Sequence, residues 1–304
     1  MTNEEYIARD LGLSGVSKWH SAGFKGKGIS VLNLEEEGGF HSEQSYKCIH
    51  NVVPEATIYR AEFRFNSDAT TIIQDQIVDD GVVYDLEEYI ASRKIKIISF
   101  SMQGTQAPSE PVRKYWKSVQ DRYNVIIFNS TGNDGEYIDG TPFSFETSIQ
   151  VGAMMVRSGN LERAYYSNGG EQTDFMALTF GYTGTSFSAP FLAGMAALIC
   201  SRLGDLTFAE MYNYLKHYSL DFGKVGDDFD FGWGMPVMPD VNKKYITLTV
   251  GSTVMMVDGV GQTLDTVPII DKNNRTLVPI RRPMEALGHK VEWIGEEKKV
   301  VIYE

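Results

Sequence analysis

The chain has 304 residues, of which 42% are hydrophobic and 12% aromatic, enough apolar material for one large domain or two unequal ones. Its formal net charge of −12 disfavours nucleic acid and anionic membranes as partners. Cys48 and Cys200 lie among apolar residues, which predicts two buried free thiols and not a disulfide framework.

The N-terminal stretch MTNEEYIARDLGLSG is polar and acidic. It lacks the basic-then-apolar order of a signal peptide. No stretch of about 18 apolar residues free of charge predicts a transmembrane helix. Neither a signal peptide nor a membrane span is therefore expected.

Residues 1–242 alternate apolar, β-rich runs with helical ones. The strand candidates are residues 28–34, 56–63, 94–102, 124–130 and 147–154. The helix candidates are residues 42–51, 71–80, 85–93, 110–122, 187–203 and 208–218. Such alternation predicts an α/β domain whose central, mainly parallel sheet is flanked by helices. Ligands of such sheets bind outside the carboxyl ends of the strands.

The character of the chain changes after GWGMPVMPD, residues 232–240. From there to the end it reads as short strands with one brief helix near residues 283–287. Residues 243–304 are therefore predicted to form a separate small α+β domain, mostly β, behind a linker marked by proline and glycine.

The stretch GYTGTSFSAPFLAGMAALI, residues 181–199, places polar residues at the head of an apolar helix. The helix is predicted from Phe187 onward, with Pro190 in its first turn, where the missing N–H does least harm. Ser186 then stands at a helix N-terminus, beside unpaired N–H groups and the positive end of the dipole. On these residues alone, Ser186 is either a helix cap or a nucleophile.

A nucleophilic serine needs a histidine base, an orienting carboxylate and an oxyanion donor. Three of the five histidines lie before the first strand, late in a helix or in the tail, which leaves His41 and His50. Glu35 follows a strand and His41 opens the next helix, so both point to the same end of the sheet, whereas His50 lies at the helix's far end. Glu36 and Glu37 remain alternative carboxylates, although Glu35 comes first after the strand.

Five stretches resemble the motifs of the subtilisin-type serine proteases, the subtilases. GTSFSAPFLAGMAALI is similar to their nucleophile signature, G-T-S-x-[SA]-x-P, and STGND to the loop that presents the oxyanion asparagine. GKGISVLNLE is similar to the strand that ends in the triad's acidic residue, and HSEQSYKCIHNVVPEA to the histidine helix with its V-A-P-x-A ending. VGAMMVRSGNLERAYYSNGG resembles the segment before the serine. The likeness covers about residues 10–240.

This resemblance implies a three-layer subtilisin-like fold and a serine endopeptidase that forms an acyl-enzyme on Ser186. It implies His41 as general base, Glu35 as orienting acid and Asn133 as oxyanion donor, in the family's chain order of acid, histidine and serine. It also implies substrate contacts from Ser101, Met102, Gln103, Gly104, Thr131, Gly132, Asp134 and Thr185. In particular, SFSMQG resembles the strand that pairs with an extended substrate, and Asp134 would favour a basic residue before the scissile bond.

The chain also departs from the family pattern. Glutamate stands where the family has aspartate, the interval from Glu35 to His41 is short, and H-S-E replaces H-G-T. These departures sustain an alternative, a catalytically silent pseudoprotease that binds peptides or acts as a scaffold. An esterase or lipase is disfavoured because the serine motif lacks the G-x-S-x-G elbow.

The resemblance implies a polypeptide substrate and no required cofactor. It leaves room for structural calcium, whose ligands the sequence does not identify. No prodomain precedes the catalytic motifs, which favours a cytoplasmic or phage-associated protein over a secreted one.

The tail resembles the small domain named after the N-terminus of copper amine oxidase. RTLVPIR and the EALG…VEW ending carry the likeness. Copper is not implied, because the tail contains one histidine, His289, and no cysteine. We expect a module that binds a protein partner or mediates self-association, with an inert stabilising extension as the alternative.

Overall fold

The computed structural model describes residues 1–35, 39–64, 76–101, 109–137 and 147–304. The chain divides into two compact units. The larger unit comprises Met1–Ser201 with Leu206–Val241, and the tail unit comprises Arg202–Asp205 with Asn242–Glu304.

The larger unit alternates strands with helices, as an α/β fold requires. Its strands are β1 Ser30–Glu35, β2 Thr57–Arg64, β3 Gln76–Asp79, β4 Val82–Asp85, β5 Ile95–Phe100, β6 Ile126–Ser130, β7 Ser148–Arg157, β8 Asn160–Arg163, β9 Phe175–Ala177, β10 Ser219–Leu220 and β11 Met235–Pro236. Its helices are α1 Asn3–Leu13, α2 Val16–Ser21, α3 Phe40–Val52, α4 Leu86–Arg93, α5 Glu110–Tyr123, α6 Ser188–Leu203 and α7 Phe208–His217.

Among the described residues, β1 to β9 form one nine-stranded sheet in the order β4-β3-β2-β1-β5-β6-β7-β8, and β9 pairs with β7. The central pairings, β2-β1-β5-β6-β7, are parallel. The strands β5 and β6 are buried at every residue, because helices cover both faces of the sheet. The predicted α/β fold is confirmed, and the five strand candidates correspond to β1, β2, β5, β6 and β7.

One predicted helix is wrong. Residues 76–79 of the 71–80 candidate form β3, which pairs with β4 in an antiparallel hairpin; residues 71–75 lie outside the described ranges. Asp80 and Gly81 connect the two strands with positive φ angles of 49° and 78°. An Asp-Gly pair with two left-handed residues is the favoured two-residue hairpin turn. The hairpin lets Ile77 and Val78 enter the core.

The longest apolar helix, α6, is part of the core. Thr185–Leu203 is the one stretch among the described residues that is long and apolar enough to cross a membrane, and 83% of it is buried inside the protein. The helix begins at Ser188, after a 3-10 turn at Thr185–Phe187, and not at Phe187 as predicted. Cys48 and Cys200 are buried free thiols, as predicted.

The two ends of the larger unit meet. The Trp19 Nε1 atom donates to the carbonyl oxygen of Pro239 at 2.7 Å, and the Met238 N–H donates to the carbonyl oxygen of Ser14 at 2.7 Å. Gly15 lies so close to Met238 that a Cβ there would be 2.7 Å from the Met238 carbonyl oxygen. The first two helices are therefore secured by the last residues of the unit.

The tail unit consists of short antiparallel pairings and one short helix. Its elements are β12 Ile246–Leu248, β13 Val254–Val257, β14 Val260–Thr263, β15 Ile269–Ile270, β16 Thr276–Leu277, α8 Arg281–Ala286, β17 Lys290–Ile294 and β18 Lys299–Tyr303. Its core consists of Met255, Val257 and Leu264, with Ile246 and Leu248 packed against them.

Candidate active site

Glu35 and His41 meet at the carboxyl end of β1. Glu35 is the last residue of β1, and His41 is the second residue of α3, which begins after Gly39. The His41 Nδ1 atom lies 3.0 Å from Glu35 Oε2. The Glu35 side chain is 3% exposed, whereas that of His41 is 46% exposed. The buried carboxylate thus holds one ring nitrogen of His41 and leaves Nε2 for the exposed side.

The buried residue Asn33 ties α3 to β1 two residues before Glu35. Its Oδ1 accepts a hydrogen bond from Ser45 Oγ at 2.7 Å, and its Nδ2 donates to the Ser42 carbonyl oxygen at 3.4 Å. Both contacts fall in the first two turns of α3, next to His41. The direction in which the helix leaves the sheet, and hence the His41–Glu35 distance, is set partly by this amide.

The hydrogen bond that His41 Nδ1 donates to Glu35 raises the pKa of His41 above its usual value; the charge of Glu35 adds to this effect, while partial burial of the ring opposes it. The contact therefore stabilises the imidazolium that would form when His41 takes a proton. The rival carboxylates Glu36 and Glu37 lie outside the described residues. Within the described ranges, the second oxygen of Glu35, Oε1, is buried without a hydrogen-bond partner.

Ser186 lies at the centre of the 3-10 turn that precedes α6, and it is half-buried. The turn starts from Gly184, whose φ of 131° favours glycine. The Ser186 carbonyl oxygen accepts a hydrogen bond from Ser101 Oγ at 2.9 Å. The ring of the following residue, Phe187, lies 5.3 Å from the His41 imidazole, measured between ring centroids. The fold thus brings the predicted nucleophile turn against the predicted base, although they are 145 residues apart in numbering.

Asn133 follows β6 in the loop that begins at Thr131. Its Oδ1 accepts two hydrogen bonds from Thr185, from the backbone N–H at 2.7 Å and from the hydroxyl at 3.1 Å. Because a backbone N–H can only donate, the oxygen of the amide must face Thr185. The Nδ2 group is turned to the other side as a donor. The Thr185 hydroxyl in turn accepts from the Gly132 N–H at 3.1 Å.

A second asparagine, Asn168, holds this loop by hydrogen bonds. Asn168 is not among the site residues predicted from the sequence. It is fully buried, and its Oδ1 accepts from the N–H groups of Asp134 at 2.8 Å and Glu136 at 3.2 Å. Its Nδ2 donates to the Thr131 carbonyl oxygen at 3.2 Å and to Asp134 Oδ2 at 3.1 Å. The signal was present in YSNGG, because a buried asparagine can satisfy several backbone groups of a tight loop at once.

The predicted substrate-binding residues have different environments. Ser101 lies at the end of β5 and is 8% exposed. Thr131 and Thr185 are buried, and their hydroxyls bond within the protein. The Asp134 side chain is exposed. Met102, Gln103 and Gly104 lie outside the described residues.

Other polar groups lie away from this site. His50 stands near the far end of α3, where its ring stacks on Tyr46 at 5.7 Å. In the part of the chain that the structure describes, no group of three or more His, Cys, Asp or Glu side chains could hold a metal ion.

Comparisons with solved structures match this fold. A lanthipeptide protease has a TM-score of 0.54 at 17% identity, and the alignment covers 76% of this chain and 91% of that one. The prenylagaramide maturation protease PagA has a TM-score of 0.57 at 18% identity, with 73% of this chain and 95% of that chain covered. At these identities the likeness concerns the fold.

Comparisons of sequence point to one family for the larger unit. Subtilisin E of Bacillus subtilis (strain 168) is 28% identical over 200 residues, covering 60% of this chain and 48% of the relative. Subtilisin of Bacillus pumilus is 29% identical over 164 residues, covering 49% and 57% respectively. The chain therefore spans about half the length of the curated relatives it matches.

Two family models match successive parts of the chain. Residues 237–302 match the model described as the copper amine oxidase N-terminal domain. Residues 38–234, which include His41, Asn133 and Ser186, match the model of the subtilase family. The chain belongs to the subtilase family.

Proposed function

We propose that this chain is a serine endopeptidase that hydrolyses peptide bonds through an acyl-enzyme on Ser186. The observation that carries the proposal is the 3.0 Å contact between His41 Nδ1 and the buried Glu35 Oε2. A buried carboxylate at Nδ1 selects the tautomer whose Nε2 accepts a proton, which is the orientation a general base requires.

The residues would divide the reaction as follows. Ser186 Oγ forms a bond to the peptide carbonyl carbon while His41 Nε2 takes the hydroxyl proton. The negative charge on the carbonyl oxygen accepts hydrogen bonds from Asn133 Nδ2 and the Ser186 N–H. The C–N bond then breaks as His41 gives its proton to the leaving amine. Water then forms a bond to the ester carbonyl carbon while His41 takes one of its protons. The C–O bond to Ser186 breaks as His41 gives that proton to Ser186 Oγ, and the carboxylic acid product leaves.

Two features support this assignment of roles. The hydrogen bond that His41 donates to Glu35 raises the pKa of His41, so the positive charge that develops on the imidazole is stabilised. The two hydrogen bonds from Thr185 orient the Asn133 amide without using its NH₂ group. The alternative of a silent pseudoprotease has no comparable observation in its favour.

We also propose that Asp134 favours substrates with a basic residue before the scissile bond. Its carboxylate is exposed and follows Asn133 directly, and the Asn168 contacts hold it in place. The Asp134→Asn variant should lower kcat/KM for a peptide with arginine at that position by about tenfold, while a leucine peptide is unaffected. Equal losses on both peptides would contradict this preference.

The nucleophile is tested with a fluorophosphonate, which reacts with an activated serine by displacement of fluoride. Intact-mass spectrometry and peptide mapping should show one adduct, on Ser186, in the wild type. The Ser186→Ala variant should remain unlabelled, whereas the control Ser21→Ala, which removes an exposed helical hydroxyl, should label normally. A folded wild-type protein that stays unlabelled would contradict the proposal and favour a peptide-binding pseudoprotease.

For the tail unit we propose a role in binding a protein partner or in self-association. Several large apolar side chains of this unit are exposed, namely Ile269, Ile270, Leu277, Val278, Ile280, Trp293, Val300 and Ile302. Such exposure is typical of interaction surfaces. Sedimentation velocity over a range of concentrations would detect self-association. A protein that stays monomeric at every concentration would rule out self-association, and binding of a protein partner would be the remaining role.

A further inference from the structure

Tyr182 connects the segment before the nucleophile to the helix that carries the base. Its hydroxyl donates to Gln44 Oε1 at 2.5 Å. Gln44 is 7% exposed and lies on α3, three residues after His41. Residues three apart on a helix share a face. This hydrogen bond therefore joins the nucleophile segment to the same side of α3 as the imidazole.

Contacts between aromatic rings connect the same two elements a second time. The Tyr182 ring lies 4.9 Å from the Phe187 ring, and the Phe187 ring lies 5.3 Å from the His41 imidazole, measured between centroids. Phe187 follows Ser186 directly. The ring packing and the hydrogen bond together give Tyr182 two contacts with the catalytic turn and its helix, one through its ring and one through its hydroxyl.

The backbone at Tyr182 is itself held by a tight turn. Its N–H donates to the Thr179 carbonyl oxygen at 3.1 Å, and its carbonyl oxygen accepts from Thr179 Oγ1 at 2.6 Å. Inside this turn Phe180 has a positive φ of 54°, and its N–H donates to the buried carboxylate of Asp10 at 2.9 Å. Tyr182 thus extends from a rigid turn, which makes its hydroxyl a fixed reference point for α3.

We propose that Tyr182 and Gln44 are positioning residues that set the distance between His41 and Ser186. This inference rests on the proposed acyl-enzyme chemistry. Neither side chain takes part in proton transfer. The bond keeps α3 in register with the 3-10 turn, so that the imidazole meets the hydroxyl in a reactive geometry.

A substitution that removes only the hydrogen bond tests this role. Tyr182→Phe keeps the ring contact with Phe187 and removes the donor, while Gln44→Met keeps the side-chain length and removes the acceptor. One hydrogen bond corresponds to about a five- to tenfold change in rate if its free energy is expressed in the positioning of the reactants. The control is Tyr165→Phe, which removes the hydroxyl of a nearby tyrosine that is 80% exposed.

The readout is the second-order rate constant for labelling of Ser186 by a small fluorophosphonate, with the melting temperature measured in parallel. The reagent lacks a peptide leaving group, so a role of Tyr182 in binding that part of a substrate would not change its rate. Tyr182→Phe and Gln44→Met should each slow labelling about five- to tenfold, and the double variant should be no slower than either single variant. Tyr165→Phe should label at the wild-type rate.

Wild-type rates in Tyr182→Phe and Gln44→Met, or rate losses that multiply in the double variant, would overturn the inference while leaving the serine protease assignment intact. If the wild type itself is not labelled, the proposed function fails, and the inference is then judged by an NMR titration of His41. Tyr182→Phe should lower the titration midpoint of His41, because a displaced α3 weakens the contact with Glu35. An unchanged midpoint would overturn the positioning role.

Discussion

Glu35 differs by one methylene group from the aspartate that the family motif places at the end of this strand. In this chain the longer side chain ends 3.0 Å from His41 Nδ1 and is almost completely buried. Four residues separate β1 from α3 in the sequence. The contact between Glu35 and His41 is the one that an orienting acid would make, so glutamate is compatible with that proposed role.

Glu35→Gln should reduce kcat for peptide hydrolysis on the order of 10³–10⁴-fold, because the amide can hold the wrong tautomer of His41. The pH profile should change as well. Since the Glu35 contact raises the pKa of His41, the acid limb of kcat/KM in the wild type should have a midpoint above that of an ordinary histidine, about 6.5. In Glu35→Gln the residual activity should titrate at lower pH.

The matched control for this profile is Glu55→Gln, which neutralises an exposed carboxylate in the same sequence motif as His41. It should leave both kcat and the acid limb unchanged. An acid limb that stays in place in Glu35→Gln would mean that another carboxylate controls His41.

Thr185 connects the predicted nucleophile turn by hydrogen bonds to the loop that carries Asn133. Thr185→Val preserves its shape but leaves the Gly132 N–H without its acceptor and removes one of the two bonds to Asn133 Oδ1. The variant should lose about tenfold in kcat with little change in KM, and its free energy of unfolding should fall by about 1–3 kcal/mol. Thr185→Ser should retain the wild-type kcat. A Thr185→Val variant as active as the wild type would show that these hydrogen bonds do not position Asn133.

At the scale of elements, the site depends on how closely α6 approaches α3. Gly194 on α6 faces Val52 on α3, and a Cβ at residue 194 would lie 2.8 Å from Val52 Cβ. The Cβ atom of Val52 is fixed by the helix backbone and cannot rotate away, so the two helices would have to separate. Glycine at this position therefore permits the packing that places the histidine helix beside the nucleophile helix.

Gly194→Ala should destabilise the protein by about 1–3 kcal/mol through overpacking and should also slow the labelling of Ser186. Adding Val52→Ala should recover only the part of both losses that comes from Val52 Cγ1, which would lie 3.2 Å from the new Cβ, because alanine keeps the Cβ atom at 2.8 Å. The matched control is Gly12→Ala in α1, where a Cβ would meet no atom within 4 Å. That change should stabilise the protein by about 0.5–1 kcal/mol. Thermal unfolding and labelling rates would decide, and a harmless Gly194→Ala would refute the close-approach argument.

Elements with a strong local signal were predictable from the sequence. The apolar strands and the helices α3, α4, α5, α6 and α7 follow from their patterns, and Glu35 and His41 could be paired because strand ends and helix starts meet at one edge of a parallel sheet. The predicted 71–80 helix is wrong at residues 76–79, because the turn at Asp80-Gly81 pairs these residues with β4 in a hairpin. Thr185, Asn168 and Ser101 make their hydrogen bonds to distant segments, so the partners of these residues do not follow from a local pattern.

At the scale of the larger unit as a whole, Asp174 joins three distant segments. Its Oδ2 accepts from the Gln150 N–H at 2.7 Å and its Oδ1 from the Tyr212 hydroxyl at 2.9 Å. The Tyr212 oxygen accepts from Trp233 Nε1 at 3.1 Å. Burial raises the pKa of Asp174 to about 7, although both hydrogen bonds oppose that shift.

This pKa predicts how the stability of the protein depends on pH. Between the unfolded value of about 3.9 and the folded value, the folded state binds the proton more tightly than the unfolded state, so stability falls as pH rises. Asp174→Asn removes the titration. The drop in melting temperature between pH 5 and pH 8 should therefore be smaller in Asp174→Asn than in the wild type, by at least about 2 °C.

The control for this measurement is Asp121→Asn, which changes an exposed carboxylate and should keep the wild-type dependence on pH. Differential scanning calorimetry at pH 5, 6, 7 and 8 would supply the data. A variant Asp174→Asn whose melting temperature follows that of the wild type at every pH would assign the stability loss to other groups.

The contacts between the first helices and the residues near Pro239 set an order of events during synthesis. Trp19 and Ser14 bond to residues that are more than 200 positions downstream, so these two contacts can form only when almost the entire unit has left the ribosome. Contacts of such long range are slow to form. Because α1 also supplies the Asp10 carboxylate that holds the turn before Tyr182, the nascent chain should acquire a competent nucleophile only at the end of its folding.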